Sequence, residues 1–323
     1  MIDQYGRKID YMRISVTDRC NLRCKYCMPQ DVIAADHDAI LRYEEFLHIC
    51  ALAVRLGITK FKITGGEPLV RRGCEEFITR LKRLPGVEQV TLTTNGLLLK
   101  DSLDALCAAG LDGVNISLDT LDDELFRSLT GDRGGVANVM DAVCASAERG
   151  LRTKINAVLL EENFNEAEKL VAAVATELPV DVRFIELMPI GFGGKTKRVS
   201  PDALVEKLKT CWPDLKPTSE VRGNGPAHYF ESAGLKGKIG MIDAVSHKFC
   251  QNCNRVRLTS TGQLKPCLCY DTATDLRTLL REGCSDEEIL RAMSGCIQLK
   301  PQAHTFDKME EITEKRTMSQ IGG

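Results

Sequence analysis

RISVTDRCNLRCKYCMP, residues 13–29, joins a short β-branched run to three closely spaced cysteines. The run YMRISV at 11–16 predicts a strand, and Cys20, Cys24 and Cys27 follow it among polar residues. A helical face would not turn all three inward, whereas a loop can wrap them around one site. Soft thiolates select zinc or iron–sulfur clusters. The triplet therefore predicts either half of a zinc site or a [4Fe–4S] cluster whose fourth iron is open to a small ligand.

The composition of the chain argues against several classes of protein. With 323 residues and a formal net charge of −2, it favours neither duplex DNA nor an anionic membrane as main partner. No apolar run approaches the roughly 20 residues that span a bilayer, and the first residues lack the apolar core of a signal peptide. We therefore expect a cytoplasmic protein whose fourteen cysteines serve metal binding, catalysis or packing rather than disulfides.

The first two-thirds of the chain alternate short β-rich runs with amphipathic helical patterns. One such helical face holds Phe46, Ile49, Cys50 and Ala53 at the 3.6-residue period. These β–α repeats predict a parallel sheet with helices outside it, either a doubly wound sheet or an incomplete barrel. The predicted strands are 11–16, 61–64, 90–94, 113–118, 153–159 and 182–187.

The pattern loosens from about residue 200 onward. Glycine and proline cluster at 222–230 and at 234–240, and the helical period becomes harder to follow. We therefore interpret residues 1–199 as one domain and residues 200–323 as a smaller C-terminal region.

A second set of cysteines lies in FCQNCNRVRLTSTGQLKPC, residues 249–267. Cys250 and Cys253 form a C-x-x-C pair, Cys267 follows after thirteen residues, and Cys269 is a possible fourth ligand. If Cys269 ligates, the set predicts a closed zinc ribbon. If it does not, the set predicts another open site with three thiolates.

Basic residues recur at alternating positions of the predicted extended segments. Arg255 and Arg257 point the same way if their segment is extended. Arg13, Lys62 and Lys154 lie on predicted strands, where an inward-facing charge is unfavourable unless it is paired. Each could instead face outward into solvent. Together the five predict a pocket for a polyanion such as a triphosphate.

Small and polar residues follow three of the predicted strands. TGGEP at 64–68 ends the second strand, where Gly66 lets backbone approach a ligand and Glu67 supplies a carboxylate. TTNG at 93–96 and SLD at 117–119 place hydroxyl groups at two further strand ends. Because ligands of parallel α/β folds lie at the carboxyl ends of the strands, these segments predict one rim of a binding site.

The motifs together resemble those of a known family. The C-x3-C-x2-C triplet with Tyr26 before its last cysteine, and TGGEP, are similar to the motifs of radical S-adenosylmethionine enzymes. NRVRLT after a C-x-x-C pair and the final Gly322–Gly323 resemble, more narrowly, the GTP 3′,8-cyclase family of molybdenum-cofactor biosynthesis. The resemblance runs from Arg13 to Gly323 and so covers essentially the whole chain.

The resemblance implies a fold and a set of metal ligands. It implies an incomplete (βα)6 TIM-like barrel whose mouth is closed by the C-terminal region, with two [4Fe–4S] clusters and S-adenosyl-L-methionine as cofactors. The implied ligands are Cys20, Cys24 and Cys27 for the first cluster, and Cys250, Cys253 and Cys267 for the second. Cys267 is preferred to Cys269 because it matches the family's KPCL pattern.

The resemblance also implies contacts with the small molecules. The implied S-adenosylmethionine contacts are Tyr26, Gly66, Glu67, Ser117 and Met188. The implied GTP contacts are Arg13, Lys62, Thr93, Lys154, Arg255, Val256 and Arg257. The implied catalytic residues are Arg13, Gly322 and Gly323, because the tail is expected to enter the active site. His228, His247 and His304 are interpreted as packing or surface residues.

The implied reaction converts GTP to 3′,8-cyclo-7,8-dihydro-GTP through a 5′-deoxyadenosyl radical. The implied partners are an electron-donor protein, the downstream cyclic pyranopterin monophosphate synthase and a second copy of the chain in a homodimer. Nucleic acid and membrane are not expected as partners. The competing interpretations are another two-cluster radical enzyme that modifies a peptide, and a zinc-binding module without catalysis.

Overall fold

A computed structural model describes residues 1–28, 32–131 and 133–322. The six strands predicted from the sequence are confirmed, each within one residue at either end. The strands are β1 Tyr11–Ser15, β2 Lys60–Thr64, β3 Gln89–Thr94, β4 Gly113–Ser117, β5 Thr153–Leu159, β6 Asp181–Glu186, β7 Lys216–Thr218, β8 His228–Glu231, β9 Ile239–Ile242, β10 Arg255–Leu258, β11 Gln263–Lys265 and β12 Thr274–Asp275.

The α-helices follow the apolar periods of the sequence. Their bounds are α1 Tyr43–Arg55, α2 Cys74–Lys82, α3 Leu99–Ala108, α4 Asp123–Thr130, α5 Val136–Glu148, α6 Ala167–Val171, α7 Pro201–Cys211, α8 Leu276–Arg281, α9 Asp286–Gln298 and α10 Met318–Ile321. A π-helical turn, Ala172–Thr176, continues α6. Short 3-10 turns lie at His37–Ala39, Pro68–Val70, Phe164–Glu166, Gly191–Lys195, Cys250–Asn252 and Met309–Glu311. The longest helices, α1, α5 and α9, each bury an apolar stripe.

The strands of the described residues form one sheet in the order β12-β11-β10-β1-β2-β3-β4-β5-β6-β9-β8-β7. The strands from β10 through β1 and β6 to β9 run parallel, and antiparallel strands extend both edges. Because one face of β1 through β6, β9 and β10 lines a common cavity, the sheet curls into an incomplete barrel. The predicted barrel is thus confirmed, whereas closure of its mouth by the C-terminal region stays a prediction.

Residues on both sides of the predicted boundary at residue 200 share this sheet. β10 pairs with β1 through the register Tyr11↔Arg255, and β9 pairs with β6 through Val182↔Ile239. The division into two domains stays a prediction, but the sheet itself is continuous across it.

Alternation along each strand separates two environments. On β2, Phe61 and Ile63 are buried in the main apolar core, where the helices pack against the outside of the sheet. Lys62, between them, faces the cavity. The inner face is therefore reserved for polar chemistry while the outer face supplies the core. In the described part of the chain, no helix combines the length and the apolar character that crossing a membrane requires.

Candidate active site

A cavity of about 340 Å³ lies inside the curled sheet. Its wall carries both cysteine sets and most of the basic residues singled out from the sequence. The wall residues with a predicted role are Arg13, Cys20, Cys24, Tyr26, Cys27, Lys62, Gly66, Thr93, Ser117, Lys154, Met188, Cys250, Cys253, Arg255, Arg257 and Cys267. The structure thus brings to one place residues that are up to about 250 positions apart.

The first cysteine trio, Cys20, Cys24 and Cys27, lies in the loop after β1. The loop is held against the glycine turn after β2 by two backbone hydrogen bonds, from Gly66 to the Thr17 carbonyl at 2.7 Å and from the next residue to the Arg19 carbonyl at 2.8 Å. A Cβ at Gly66 would lie 2.4 Å from the Arg19 carbonyl oxygen. Only glycine permits this close approach, so the TGGEP turn serves to seat the loop.

Tyr26 and Asp119 connect the first trio to the ends of β4 and β5. The Tyr26 hydroxyl donates to the Asp119 carboxylate at 2.6 Å, and the Val158 N–H donates to the same carboxylate at 2.7 Å. Burial raises the pKa of Asp119 to about 6, although both hydrogen bonds oppose the shift. Ser117 and Met188 share this part of the wall. The predicted S-adenosylmethionine contacts therefore cluster beside the first trio, apart from Glu67.

Glu67 is not among the residues of the cavity wall, unlike the other predicted contacts of S-adenosylmethionine. Its carboxylate accepts hydrogen bonds from the Thr94 hydroxyl at 2.8 Å, the Asn95 N–H at 2.7 Å and the Leu69 N–H at 3.1 Å. Burial raises its pKa to about 7 despite these hydrogen bonds. The carboxylate therefore joins the ends of β2 and β3, and contact of Glu67 with the cofactor stays a prediction.

A belt of six cations crosses the inner face of the sheet. The cation belt consists of Arg13, Lys62, Lys154, Arg183, Arg255 and Arg257. Strand register puts Arg13 beside Lys62 on one side and beside Arg257 on the other. Burial lowers the pKa of Lys62 far below its usual range, and Arg183 and Arg13 lower it further. Such a concentration of positive charge is unfavourable by itself and is suited to a polyanion.

The belt has few internal counter-charges. Lys154 lies 3.3 Å from the Asp181 carboxylate, and burial together with Arg183 lowers its pKa to about 8. Within the described residues, Lys62 has no carboxylate at ion-pair distance, and the buried Thr93 Oγ1 and Arg255 Nε have no hydrogen-bond partner. Unsatisfied buried polar groups of this kind fit a site that a polar ligand completes.

The second cysteine trio, Cys250, Cys253 and Cys267, lies at the other end of the strands. Cys250 and Cys253 precede β10, which is parallel to β1, and Cys267 follows the antiparallel β11. The first trio instead follows the carboxyl end of β1. The two trios therefore flank the cation belt from opposite ends of the parallel strands.

Charge around the second trio favours an ionised thiol at Cys253, whereas burial raises the pKa of Cys250 and Cys267. Burial raises the pKa of Cys253, but the neighbouring Arg255 and Lys300 outweigh it and lower that pKa to about 7. Lys300 also donates hydrogen bonds to the carbonyls of Arg255 at 2.8 Å and Pro266 at 2.6 Å. One carbonyl lies just after Cys253 and the other just before Cys267, so Lys300 links the two segments that carry the cysteines.

Cys269 is set apart from the cysteines on the cavity wall. It is fully buried next to Thr305, and it is not on the wall that Cys250, Cys253 and Cys267 line. Over residues 1–28, 32–131 and 133–322, no three potential ligands are close enough to share one ion. A cubane distributes its thiolates over different irons, so its ligands stand further apart than those of a single ion. All fourteen cysteines are free.

Two further predicted residues are placed differently from the rest. Val256 is fully buried in the main apolar core, because its neighbours on β10 point into the cavity and strand alternation turns it away. Any contact of Val256 with a ligand is therefore limited to its backbone. Gly323 lies outside the described residues.

The C-terminal tail that ends at Gly322 packs against the rest of the protein. Gly322 is buried, its carbonyl accepts a hydrogen bond from Arg257, and a Cβ there would lie 2.9 Å from Ser15 Cβ. The segment is anchored by Glu314, which pairs with the fully buried Lys265 at 2.5 Å and with Arg316 at 2.9 Å. The tail therefore reaches the carboxyl ends of β1 and β2, beside the cavity.

Sequence reasoning missed several residues of the wall. Arg183 donates two hydrogen bonds to Asn156 at 2.9 and 2.6 Å and belongs to the cation belt. The same alternation that selected Lys154 could have found it, because β6 is a predicted strand. Arg7, Lys300 and His304 line the cavity near the second trio. They come from non-repetitive segments, and no spacing in the sequence marks them.

Comparison with known proteins agrees with this arrangement. The Radical SAM superfamily model matches residues 14–174, and the Molybdenum Cofactor Synthesis C model matches residues 180–306. A protein of Clostridium perfringens (strain 13 / Type A) named GTP 3′,8-cyclase is 43% identical over 325 residues, with 100% of both chains covered. A protein of the same name from Heliobacterium modesticaldum is 44% identical over 328 residues, again with 100% of both chains covered.

Solved structures support the fold. The crystal structure of Streptococcus suis SuiB bound to S-adenosylmethionine superposes with a TM-score of 0.65 at 16% identity. The match covers 98% of this chain and 78% of that one. At this level of identity the likeness extends to the architecture of the barrel and not to its substrate.

Proposed function

This chain belongs to the GTP 3′,8-cyclase family of radical S-adenosylmethionine enzymes, and we propose that it converts GTP to 3′,8-cyclo-7,8-dihydro-GTP, the first step of molybdenum-cofactor biosynthesis. The observation that carries the proposal is the cation belt between two cysteine trios, all on the wall of one cavity. A zinc module has no use for such a belt, and a nucleoside triphosphate supplies the charge that the belt lacks.

The first trio would hold a [4Fe–4S] cluster through Cys20, Cys24 and Cys27, leaving one iron for S-adenosylmethionine. When bound, the cluster and S-adenosylmethionine would supply the carbon radical that takes a hydrogen atom from C3′ of the ribose. Bonding of C3′ to C8 of guanine would leave a nucleotide radical, which one further electron and one proton would convert to the dihydro product. The protein's part is to hold and orient the cofactor. Tyr26, Gly66, Ser117 and Met188 are the wall residues available for that contact.

The cation belt would bind the triphosphate of GTP. Burial, reinforced by Arg183, lowers the pKa of Lys62 and of Lys154, so an incoming polyphosphate favours their protonated forms. The arginines supply fork-shaped donors for phosphate oxygens. Arg13 lies at the centre of the belt, between Lys62 and Arg257 in register, so we assign it to holding the substrate during reaction.

Cys250, Cys253 and Cys267 would hold the other [4Fe–4S] cluster, which would supply an iron site for the guanine base. The docked tail gives a role to Gly322, whose carbonyl fixes the guanidinium of Arg257. A carbon radical attacks almost any C–H bond, so exclusion of water and fixed geometry matter more here than acid–base groups. We propose that the curled sheet and the buried tail provide that enclosure.

Several wider features belong to the proposal as well. We propose a cytoplasmic homodimer that receives electrons from a donor protein and passes its product to cyclic pyranopterin monophosphate synthase. We also propose that residues 1–199 and 200–323 act as two functional regions, one for radical generation and one for the second cluster.

The proposal is tested by anaerobic reconstitution of the clusters, followed by incubation with GTP, S-adenosylmethionine and a reductant. We expect 5′-deoxyadenosine and 3′,8-cyclo-7,8-dihydro-GTP, identified by mass and NMR. The Cys24→Ala variant should yield neither. Cleavage of S-adenosylmethionine with GTP recovered unchanged would remove the assigned substrate.

A further inference from the structure

The imidazole of His304 is a buried polar group that the proposed chemistry does not use. Only 5% of the residue is exposed, yet it lines the cavity beside Cys250, whose thiol accepts its backbone N–H at 3.4 Å. The ring stacks on Phe306 with centroids 4.3 Å apart and meets Phe249 edge-on at 6.4 Å. The side chain is therefore held in one orientation by aromatic neighbours.

Hydrogen bonding assigns the proton of this ring. The Phe306 N–H donates to His304 Nδ1 at 3.4 Å, and this contact favours the tautomer in which Nδ1 accepts. A neutral imidazole with an accepting Nδ1 carries its proton on Nε2. His304 Nε2 is buried and has no hydrogen-bond partner among the described residues. His304 thus presents an N–H near the Ala244 carbonyl without a well-formed hydrogen bond, and an acceptor atom of a ligand would satisfy it.

We propose that His304 donates a hydrogen bond from Nε2 to an acceptor atom of the purine base, and so contributes to base recognition. The inference rests on the proposed function, because it assumes a purine nucleotide in this cavity. Its neighbours favour the base over the phosphates. Phe249 and Phe306 line this part of the wall with apolar rings, Phe249 under the Arg255 guanidinium at 5.2 Å, whereas Arg13, Lys62 and Lys154 lie on the strands suited to triphosphate.

The test separates base recognition from phosphate binding by using two probes, GTP and inorganic tripolyphosphate. Binding is measured anaerobically by calorimetry on the protein with both clusters reconstituted. His304→Phe keeps an aromatic ring against Phe306 and removes the donor. We expect it to weaken GTP binding about three- to tenfold, the effect of one lost hydrogen bond, and to leave tripolyphosphate binding unchanged. His304→Gln retains an N–H and should recover part of the GTP affinity.

Two controls bracket the result. His247→Phe alters a half-exposed histidine that pairs with Asp243 at 2.6 Å and is not on the cavity wall, so both affinities should stay at the wild-type level. Lys62→Met should weaken both probes together. Iron content of the His304 variants should match the wild type, since the backbone N–H to Cys250 is retained.

Equal GTP affinity in His304→Phe and the wild type would overturn the inference, as would a parallel loss of both probes. Failure of the wild-type protein to bind GTP would instead overturn the proposed function on which the inference rests.

Discussion

The two cysteine trios face one cavity but are held in different ways. The first lies within eight consecutive positions, 20–27, and its loop rests on the glycine turn at Gly66. The second is spread over residues 250–267 and is tied together from outside. Arg7 donates to the Cys250 carbonyl at 2.9 Å, and Lys300 bridges two further carbonyls of the ligand segments.

The difference shows how a metal site depends on its surroundings. A local site requires close backbone contact with a single neighbouring turn, so it fails where that contact is blocked. A dispersed site requires cations from remote segments, so it fails where those cations are removed. We therefore expect the two trios to be lost separately, by different substitutions.

Gly66→Ala should have the largest effect and should act on the first trio alone. A Cβ would lie 2.4 Å from the Arg19 carbonyl oxygen and 2.8 Å from that of Asp18, and neither backbone atom can move without displacing the cysteine loop. We expect cleavage of S-adenosylmethionine to be abolished and iron content to fall toward that of one cluster.

The matched control for this change is Gly295→Ala. Gly295 lies within α9, and a Cβ there meets no atom within 4 Å. The variant should keep full iron content and activity. A Gly66→Ala protein with both clusters intact would contradict the seating of the loop on the turn.

Glu314→Gln should have the next largest effect, and it should act on the C-terminal tail. Lys265 would stay buried but would lose the carboxylate that lies 2.5 Å away. Breaking a buried ion pair lowers the free energy of unfolding by about 3 kcal/mol or more. Urea unfolding measures the loss, and hydrogen exchange should show faster exchange over residues 314–322. Glu310→Gln, at an exposed position, should change neither. Unchanged tail protection would contradict the anchoring role.

Lys300→Met should produce the converse of Gly66→Ala. Two buried carbonyls would lose their donor, at a cost of about 1–3 kcal/mol each, and the thiols of the second trio would lose a neighbouring charge. We expect iron content to fall toward that of one cluster while reductive cleavage of S-adenosylmethionine persists. Lys308→Met, on the surface, is the control. Loss of the first cluster as well would show that the two sites are not independent.

The smallest predicted effect is the pH dependence of GTP binding through the cation belt. Burial lowers the pKa of Lys154 to about 8 in the free protein, and a bound polyphosphate favours the protonated amine. Binding therefore takes up a proton above about pH 8, and affinity falls as pH rises, by at most about tenfold per pH unit for one proton. Calorimetry in buffers of different ionisation enthalpy measures the uptake. Lys154→Met should reduce it, and an unchanged uptake in that variant would exclude Lys154 as the source.

The sequence predicted the local features well and the non-local ones poorly. The strands from β1 to β6 follow from alternation and helical periods in consecutive residues. β7 to β12 are two to four residues long, and their pairing depends on partners far away in the chain. Arg183 carried the same alternation signal as Lys154 and could have been found.

The same distinction between local and non-local features applies to individual residues of the site. Glu67 was expected to contact the cofactor because it follows two glycines, but its carboxylate accepts from the Thr94 hydroxyl and the Asn95 N–H at the end of a neighbouring strand. Val256 lies between two inward arginines, and alternation alone would have turned it outward. No sequence motif or spacing marks His304. Its place in the cavity depends on packing against Phe249 and Phe306, which the sequence alone does not indicate.

The pairing of β1 with β10 has a consequence for biosynthesis of the protein. β1 is synthesised first, but β10, the strand that pairs with its free edge, spans residues Arg255–Leu258. Until that segment leaves the ribosome, the nascent sheet carries an exposed edge that can pair with other chains. Truncated products that end before β10 should therefore aggregate, and only the nearly complete polypeptide can enclose its own metal-binding chamber.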